Sequence, residues 1–578
     1  MSTITGARLA RWQRGIAIAF ALSLAGLAPA NADPQAWGRL MQSAFQSFGA
    51  GQLDAALDSA QQALQMAERE AGPRHASVGM SLFAVGSILA QRGEAARAVP
   101  LLERSLAIQE SAPDADPSLL PTLLNSLGAA YRMHGDLAKA EPVLRRALQL
   151  TEARLGPDHE MTIAMGRNLG EVLASLGRYD EAAQRFQAAI AAAEKTPEKH
   201  AETLALTTSS LGGLRRSQGR FDEAEALQKR ALAGAEKALG PQHAVTTMVV
   251  SSLGDLAYAR GDFALAESHA RRALAAREVR LGPDHPEVAQ SLNNLAAALV
   301  ARARYDEARP LLERAARIVE KAAGPDSPEL AMALGNLGNL HLEAGRPAEA
   351  RALFARVVAI QEKALGPNSP ELALALNNLA GAEMGLGEFR TAEPLLRRAI
   401  AIKERSLGPE HPSLATSLDA LSTLPEVERD AVQVEALRRR ALAIREKALG
   451  PDHPAVATSL GNLASFHVDR GRPEPAQPLA ERALAIAERA QGPTHPQVAT
   501  LLGLLGRIQW MLKRPAEAEP LLRRALTVLE TGPGAERPET VVLLDTLAEV
   551  CGATGQAAEA ATLKARATRI RAGDRPPH

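Results

Sequence analysis

Seven histidines stand at whole multiples of 42 residues from one another: His75, His159, His243, His285, His411, His453 and His495. Imidazole is a common metal ligand, so this spacing raises the chemistry of a metal site. Zinc, however, needs its ligands within about 2.0–2.3 Å of one point. Equivalent atoms in neighbouring units are separated by two packed helices, about 10–20 Å, so equal phase disperses these rings. Ser327 and Ser369 take the histidine place in two copies, and serine suits the flank of a helix N-terminus. The histidines are therefore read as structural, with no metal and no cofactor. A second set is made of amides. Asn168, Asn294, Asn336, Asn378 and Asn462 share one phase, and Asn125, Asn293 and Asn377 lie one residue earlier. A carboxamide donates and accepts at once, which suits contact with peptide groups. No Gly-rich phosphate loop, Gly-x-Ser-x-Gly elbow or His-Glu-x-x-His pair accompanies them, so no enzyme activity is expected.

These side chains need elements that repeat with the same period. The spacer Leu-Gly-Pro-x-His, as in Leu281-Gly282-Pro283-Asp284-His285, supplies the clearest mark. Three ladders of small residues run in register with it: one from Ala44 through Gly86 to Ala548, one from Ala56 to Ala560, one from Ala63 to Ala567. Small residues at fixed phase mark where two helices approach too closely for a large side chain. Leucines such as Leu295, Leu299, Leu311 and Leu312 flank them at helical spacing. One unit reads as two antiparallel helices. Helix A runs from about Pro286 to Arg302 and helix B from about Glu307 to Ala322. Asp306 is placed to cap helix B, and Gly282 to close the preceding helix in a left-handed conformation with a single hydrogen bond.

This pattern resembles the tetratricopeptide repeat, in the 42-residue variety found in kinesin light chains. The carriers are the Leu-Gly/Ala pair of helix A, Ala early in helix B, Ala seven residues later, and strings such as His285-Pro286-Glu287-Val288-Ala289-Gln290-Ser291-Leu292-Asn293-Asn294-Leu295-Ala296. The resemblance implies an all-α, right-handed superhelical solenoid of about thirteen helix-turn-helix repeats over residues 33–571. It also implies that helix A lines a concave face, where Asn at the matching position grips the backbone of a bound extended peptide. The other reading is that these Asn satisfy backbone groups between neighbouring helices. Relatives that clamp a C-terminal carboxylate add Lys and Arg to the Asn. Here only Arg167, beside Asn168, offers a cation at such a phase, so the full clamp is missing. Candidate peptide-binding residues are Asn125, Arg167, Asn168, Asn293, Asn294, Asn336, Asn377, Asn378 and Asn462.

The chain ends and composition bound the setting. Arg8, Arg11 and Arg14 precede an uncharged, mostly apolar run from Gly15 to Leu27, and Ala30-Asn31-Ala32 follows. That order reads as a secretory signal peptide, residues 1–32, with cleavage after Ala32 and a periplasmic or secreted product. Charges balance at 66 basic against 66 acidic; removing three Arg leaves 63 against 66, a net of −3. Such a balance gives no footprint for nucleic acid, and no membrane insertion is expected after cleavage. Cys551, the single cysteine, reads as a core residue. Residues 572–578 read as a short tail. In the tenth copy Pro425 should end or kink helix A, by drift or as a hinge. Paired arginines on helix B, such as Arg271-Arg272 and Arg397-Arg398, read as a solvated convex face. The expected function is a scaffold or adaptor that binds protein or extended peptide segments. The alternative is a self-associating structural component of the cell envelope.

Overall fold

The computed structural model describes residues 34–530 and 538–572. Residues 1–32, read from sequence as a signal peptide, and the tail beyond Ala572 lie outside the described residues. Among the described residues the chain is all α-helical, with thirteen consecutive helix pairs and no strand. In repeats 1–4 and 7–13 helix A packs on helix B, and from repeat 7 onward helix B packs on the next helix A. The chain divides into two compact units. One holds the described residues up to Leu214 with Arg230–Val249; the other holds Arg215–Lys229 with the described residues from Val250 onward.

The small-residue ladders lie in the core. Ala308 and Ala315 of the seventh repeat are fully buried, as are Ala350, Ala392, Ala399 and Ala441 in the copies that follow. At Gly338 an added Cβ would lie 2.7 Å from the Phe354 ring, which explains the missing side chain. The twin position in the seventh repeat, Ala296, faces the smaller Leu312 in the same cluster.

The spacer histidines are N-caps. Nδ1 of His285 accepts from the Glu287 amide at 3.2 Å, and His159, His243, His411, His453 and His495 do the same two residues on. Ser327 and Ser369 cap through Oγ, accepting from the Leu330 and Leu372 amides. Nδ1 must stay unprotonated to accept. Burial lowers the pKa of His285, His411 and His453, and brings that of His495 to about 4. In the second unit Nε2 of His453 donates to the Ser217 carbonyl at 2.8 Å, which fixes its tautomer.

Two local expectations need correction. Gly282 does have positive φ, 84°, and its amide makes the single bond to the Glu278 carbonyl, but ψ is 161° rather than left-handed helical. Pro283 is the cause: a residue before proline is driven to extended ψ, and only glycine combines that with positive φ. Asp306 is not a cap. Helix B of the seventh repeat starts earlier, at Tyr305–Ala323, which puts Asp306 inside the first turn and leaves Arg304 at the N-cap without a side-chain bond. There Asp306 acts only through its charge near the helix N-terminus. Asp262 and Asp430, both two residues earlier in phase, do accept helix-start amides. The turn between helices A and B requires positive φ. Glycine meets this at Gly177, Gly345 and Gly387, whereas Ala303 (58°) and Lys513 (63°) adopt it as non-glycine residues. In the tenth repeat helix A stops at Leu421 and a short helix, Pro425–Glu428, follows, as the proline requires.

Candidate functional site

Helix A of repeats 7, 8 and 9 spans Pro286–Ala301, Pro328–Glu343 and Pro370–Gly385. Each buries Leu and Ala on the sides that meet helix B and leaves one stripe uncovered at helical spacing. The stripe reads Gln290, Asn294, Ala297 in repeat 7; Met332, Asn336, Asn339 in repeat 8; Leu374, Asn378, Gly381 in repeat 9. Helix A of repeat 8 touches helix A of both neighbours, so the stripes form one wall. Met332 is 45% exposed and Leu374 59%, uncommon for large apolar side chains in a well-packed helix. The half-buried amides of Asn294, Asn336 and Asn378 have no hydrogen-bond partner among the described residues.

The other candidate amides behave differently. Asn125 is 2% exposed and accepts from Asn168 Nδ2 at 3.0 Å, while Asn168 accepts from Arg167 at 3.2 Å. Burial lowers the Arg167 pKa, and Glu171 at 3.9 Å opposes that shift. These three residues therefore tie neighbouring helices in the first unit together. Asn377 Nδ2 donates to Ser417 Oγ at 2.9 Å, reaching the next helix A. Asn293 Oδ1 and Asn377 Oδ1 are buried without a partner. Asn462 offers its backbone carbonyl to Arg438, and its side chain makes no hydrogen bond among the described residues.

The opposite face, on helix B, is already paired. Arg314, Arg356, Arg398 and Arg440 each reach a glutamate 36 residues earlier: Glu278, Glu320, Glu362 and Glu404. Arg271 and Arg397 bond Glu267 and Glu393 within their own helices. Of the arginines read from sequence as a solvated face, Arg398 thus joins a ladder between repeats, while Arg271 and Arg397 pair within their own helices. Each such half-exposed pair contributes roughly 0–1 kcal/mol.

Beneath the wall lies a set of buried cations on helix B. Arg277, Lys403 and Arg445 share one phase and are 6%, 4% and 8% exposed. Each bonds a serine fourteen residues on, in the next helix A: Ser291, Ser417 and Ser459. Arg277 also faces Ser251 at 3.3 Å and Glu287 at 3.7 Å. Arg445 meets Asp419 at 2.6 Å. Lys403 Nζ donates to Ser417 Oγ at 2.8 Å and to the Ser413 carbonyl at 2.9 Å. It forms no ion pair among the described residues, and burial alone lowers its pKa to about 8.

Thirteen consecutive helix pairs with buried small-residue ladders agree with what the family comparison finds. Tetratricopeptide repeats match residues 40–111, 119–195, 203–278, 247–321, 287–363, 433–489 and 457–531, and a further one matches 372–413. The chain belongs to the tetratricopeptide repeat family. Such repeats form scaffolds that mediate protein interactions. Among solved structures it is similar to the Podosopora anserina putative kinesin light chain with nearly identical TPR-like repeats. Identity there is 29% over 36% of this chain and 98% of that one, with a TM-score of 0.30. It is also similar to BtubC (BKLC) from P. vanneervenii, at 26% identity over 41% of this chain and 91% of that one, with a TM-score of 0.33. No curated protein matches the chain. No helix among the described residues is long and apolar enough to cross a membrane.

Within this tetratricopeptide scaffold the buried cations escaped the sequence reading. Their signal was present: Arg277, Lys403 and Arg445 are each matched by Ser fourteen positions later, whereas Val319 and Ala487 at the same phase are followed by Ala333 and Leu501.

Proposed function

We propose that the helix A wall of repeats 7–9 holds an extended segment of a partner protein, so that the chain serves as an adaptor without catalytic activity. One observation carries this reading: Asn294, Asn336 and Asn378 stand at equal phase on touching helices with their amides unpartnered. A half-buried amide gains from pairing, and a segment laid along the wall offers N–H and C=O groups at every residue. Each neutral bond contributes about 0.5–1.5 kcal/mol, so affinity comes from several weak contacts. Met332 and Leu374 add apolar surface beside the amides, at roughly 25 cal/mol per Å² covered. The saturated ion pairs of helix B support the choice of face. Export to the periplasm or beyond is part of the proposal, supported by the basic, apolar and Ala-Asn-Ala order at the N-terminus. Changing the three Asn to Ala, with binding to a crosslinked envelope partner followed beside thermal melting, tests the wall.

A further inference from the structure

The three buried cations provide an internal comparison, because the repeats hold them in equivalent places. Two of the three have a carboxylate. Glu287, on the helix A that follows, faces Arg277 at 3.7 Å while accepting a hydrogen bond from Arg280 at 2.9 Å, and Asp419, on the helix A that precedes, meets Arg445 at 2.6 Å. In the Lys403 copy both of these positions are neutral. Ser413 stands where Glu287 stands, and Asn377 stands where Asp419 stands. Glu287, Glu329 and Glu371 fill the first position in repeats 7, 8 and 9, and the series stops at Ser413, beside the one unpaired cation of the set. A buried ammonium without a counter-charge is costly, and Ser413, whose hydroxyl pairs with His411 Nδ1 at 2.9 Å, is shorter than Glu287 and carries no charge.

The site is reachable from the wall. Glu287 has a side chain 21% exposed and Asp419 one 15% exposed, so in the sister copies the carboxylate descends from the surface to the cation. Leu374, 59% exposed, lies three residues before Asn377 on the same helix, and Asn377 Oδ1 is buried without a partner. The site therefore lacks an anion at Lys403 and a donor at Asn377. It presents apolar surface alongside.

We propose that the junction of repeats 9 and 10 binds an acidic side chain of a docked extended segment, with Lys403 as counter-ion. The segment's Asp or Glu carboxylate occupies the space above Ser413, its backbone N–H meets Asn377 Oδ1, and an adjacent apolar residue covers Leu374. This deepens the wall reading above and rests on it for the segment's course. The pKa of Lys403, lowered by burial alone, agrees with a cation that has no anion of its own.

The test uses the full chain and blocked tripeptides. Acetyl-Leu-Glu-Leu-amide, its Gln counterpart, acetyl-Leu-Ala-Leu with a free carboxylate, and sodium acetate are titrated at matched ionic strength, with the thermal midpoint as readout. Wild type should be raised by the Glu peptide at a concentration at least tenfold below that needed of the Gln peptide. Lys403→Met and Ser413→Glu should both lose that difference. Ser413→Glu supplies the missing carboxylate from the chain itself and should also have a higher midpoint without peptide. Asn377→Asp, which restores the other sister position, serves where either variant fails to fold. Equal responses of wild type and Lys403→Met would overturn the site. A response confined to acetate or to the free-carboxylate peptide would overturn the acidic side chain as occupant. Failure of the wall reading is separable: Asn294→Ala/Asn336→Ala/Asn378→Ala should leave the Glu-over-Gln difference intact even if those amides bind nothing.

Discussion

Replacing Lys403 by Met should stabilise the unliganded protein, and the gain should fade with rising pH. Lys403 is 4% exposed and its folded pKa is lowered from 10.5 to about 8 by burial. A base with a depressed folded pKa burdens the native state while it is charged. The burden is full below about pH 8 and is relieved as pH rises toward 10.5, because the folded state loses its proton first. A shift of this size corresponds to about 3 kcal/mol at 1.36 kcal/mol per unit. Two hydrogen bonds, to Ser413 and Ser417, are lost with the ammonium and offset part of that gain. Ser417 Oγ keeps its bond from Asn377. Lys403→Met should therefore be more stable by about 1–3 kcal/mol at pH 7, and by about 2 kcal/mol less than that margin at pH 9.5. His411, the titrating neighbour, changes charge below this window, since burial and Lys403 hold its pKa under 6.5. Urea unfolding of both proteins at the two pH values reads the margin. Parallel behaviour, with an unchanged margin from pH 7 to 9.5, would show that Lys403 is not a desolvated cation and would refute the reasoning.

Ala303 adopts positive φ where other copies use glycine, so Ala303→Gly should raise stability by about 1 kcal/mol, the left-handed strain less the added chain entropy; urea midpoints check it. His495, with a pKa pushed down to about 4, contributes stability that is full above pH 6.5 and lost as pH falls through 4, about 3 kcal/mol in all. His495→Ser, which copies the caps at Ser327 and Ser369, should lose that acid dependence, so its deficit against wild type should shrink from pH 7 to pH 4 in paired melts. Export predicts that N-terminal sequencing of the native product begins at Asp33; a product that retains Met1 contradicts it.

The core was legible because a strict period averages over copies. A buried Ala at 308 is ambiguous alone, but twelve alanines in thirteen positions at one phase are not. The spacer histidines could likewise be separated from metal ligands, since Ser327 and Ser369 share their place and their capping role. Turn details were less legible. Asp306 looked like a cap because the helix start depends on backbone geometry at Ala303 and Arg304, two residues that carry no capping side chain. Individual charges on helix B misled, because Lys403 and Arg398 are alike in type yet one is buried under the wall and the other pairs with Glu362 across repeats. The Asn phases carried a similar limit. Whether an amide turns inward depends on the neighbouring helix: Asn168 finds Asn125, Asn377 finds Ser417, and Asn378 finds no side-chain partner among the described residues.

The central claim is that the free amides of Asn294, Asn336 and Asn378 hold a partner segment rather than the scaffold. Its most direct measurement is a binding titration of the triple Ala variant against a partner captured by crosslinking, run beside a circular dichroism melt. Unpartnered amides predict a melt near wild type, because no bond inside the protein is removed. They also predict an affinity lower by about 1.5–4.5 kcal/mol, from three bonds of about 0.5–1.5 kcal/mol each. A normal melt with undiminished affinity would remove these residues from the site, and an early melt with binding lost only through unfolding would assign them to the scaffold.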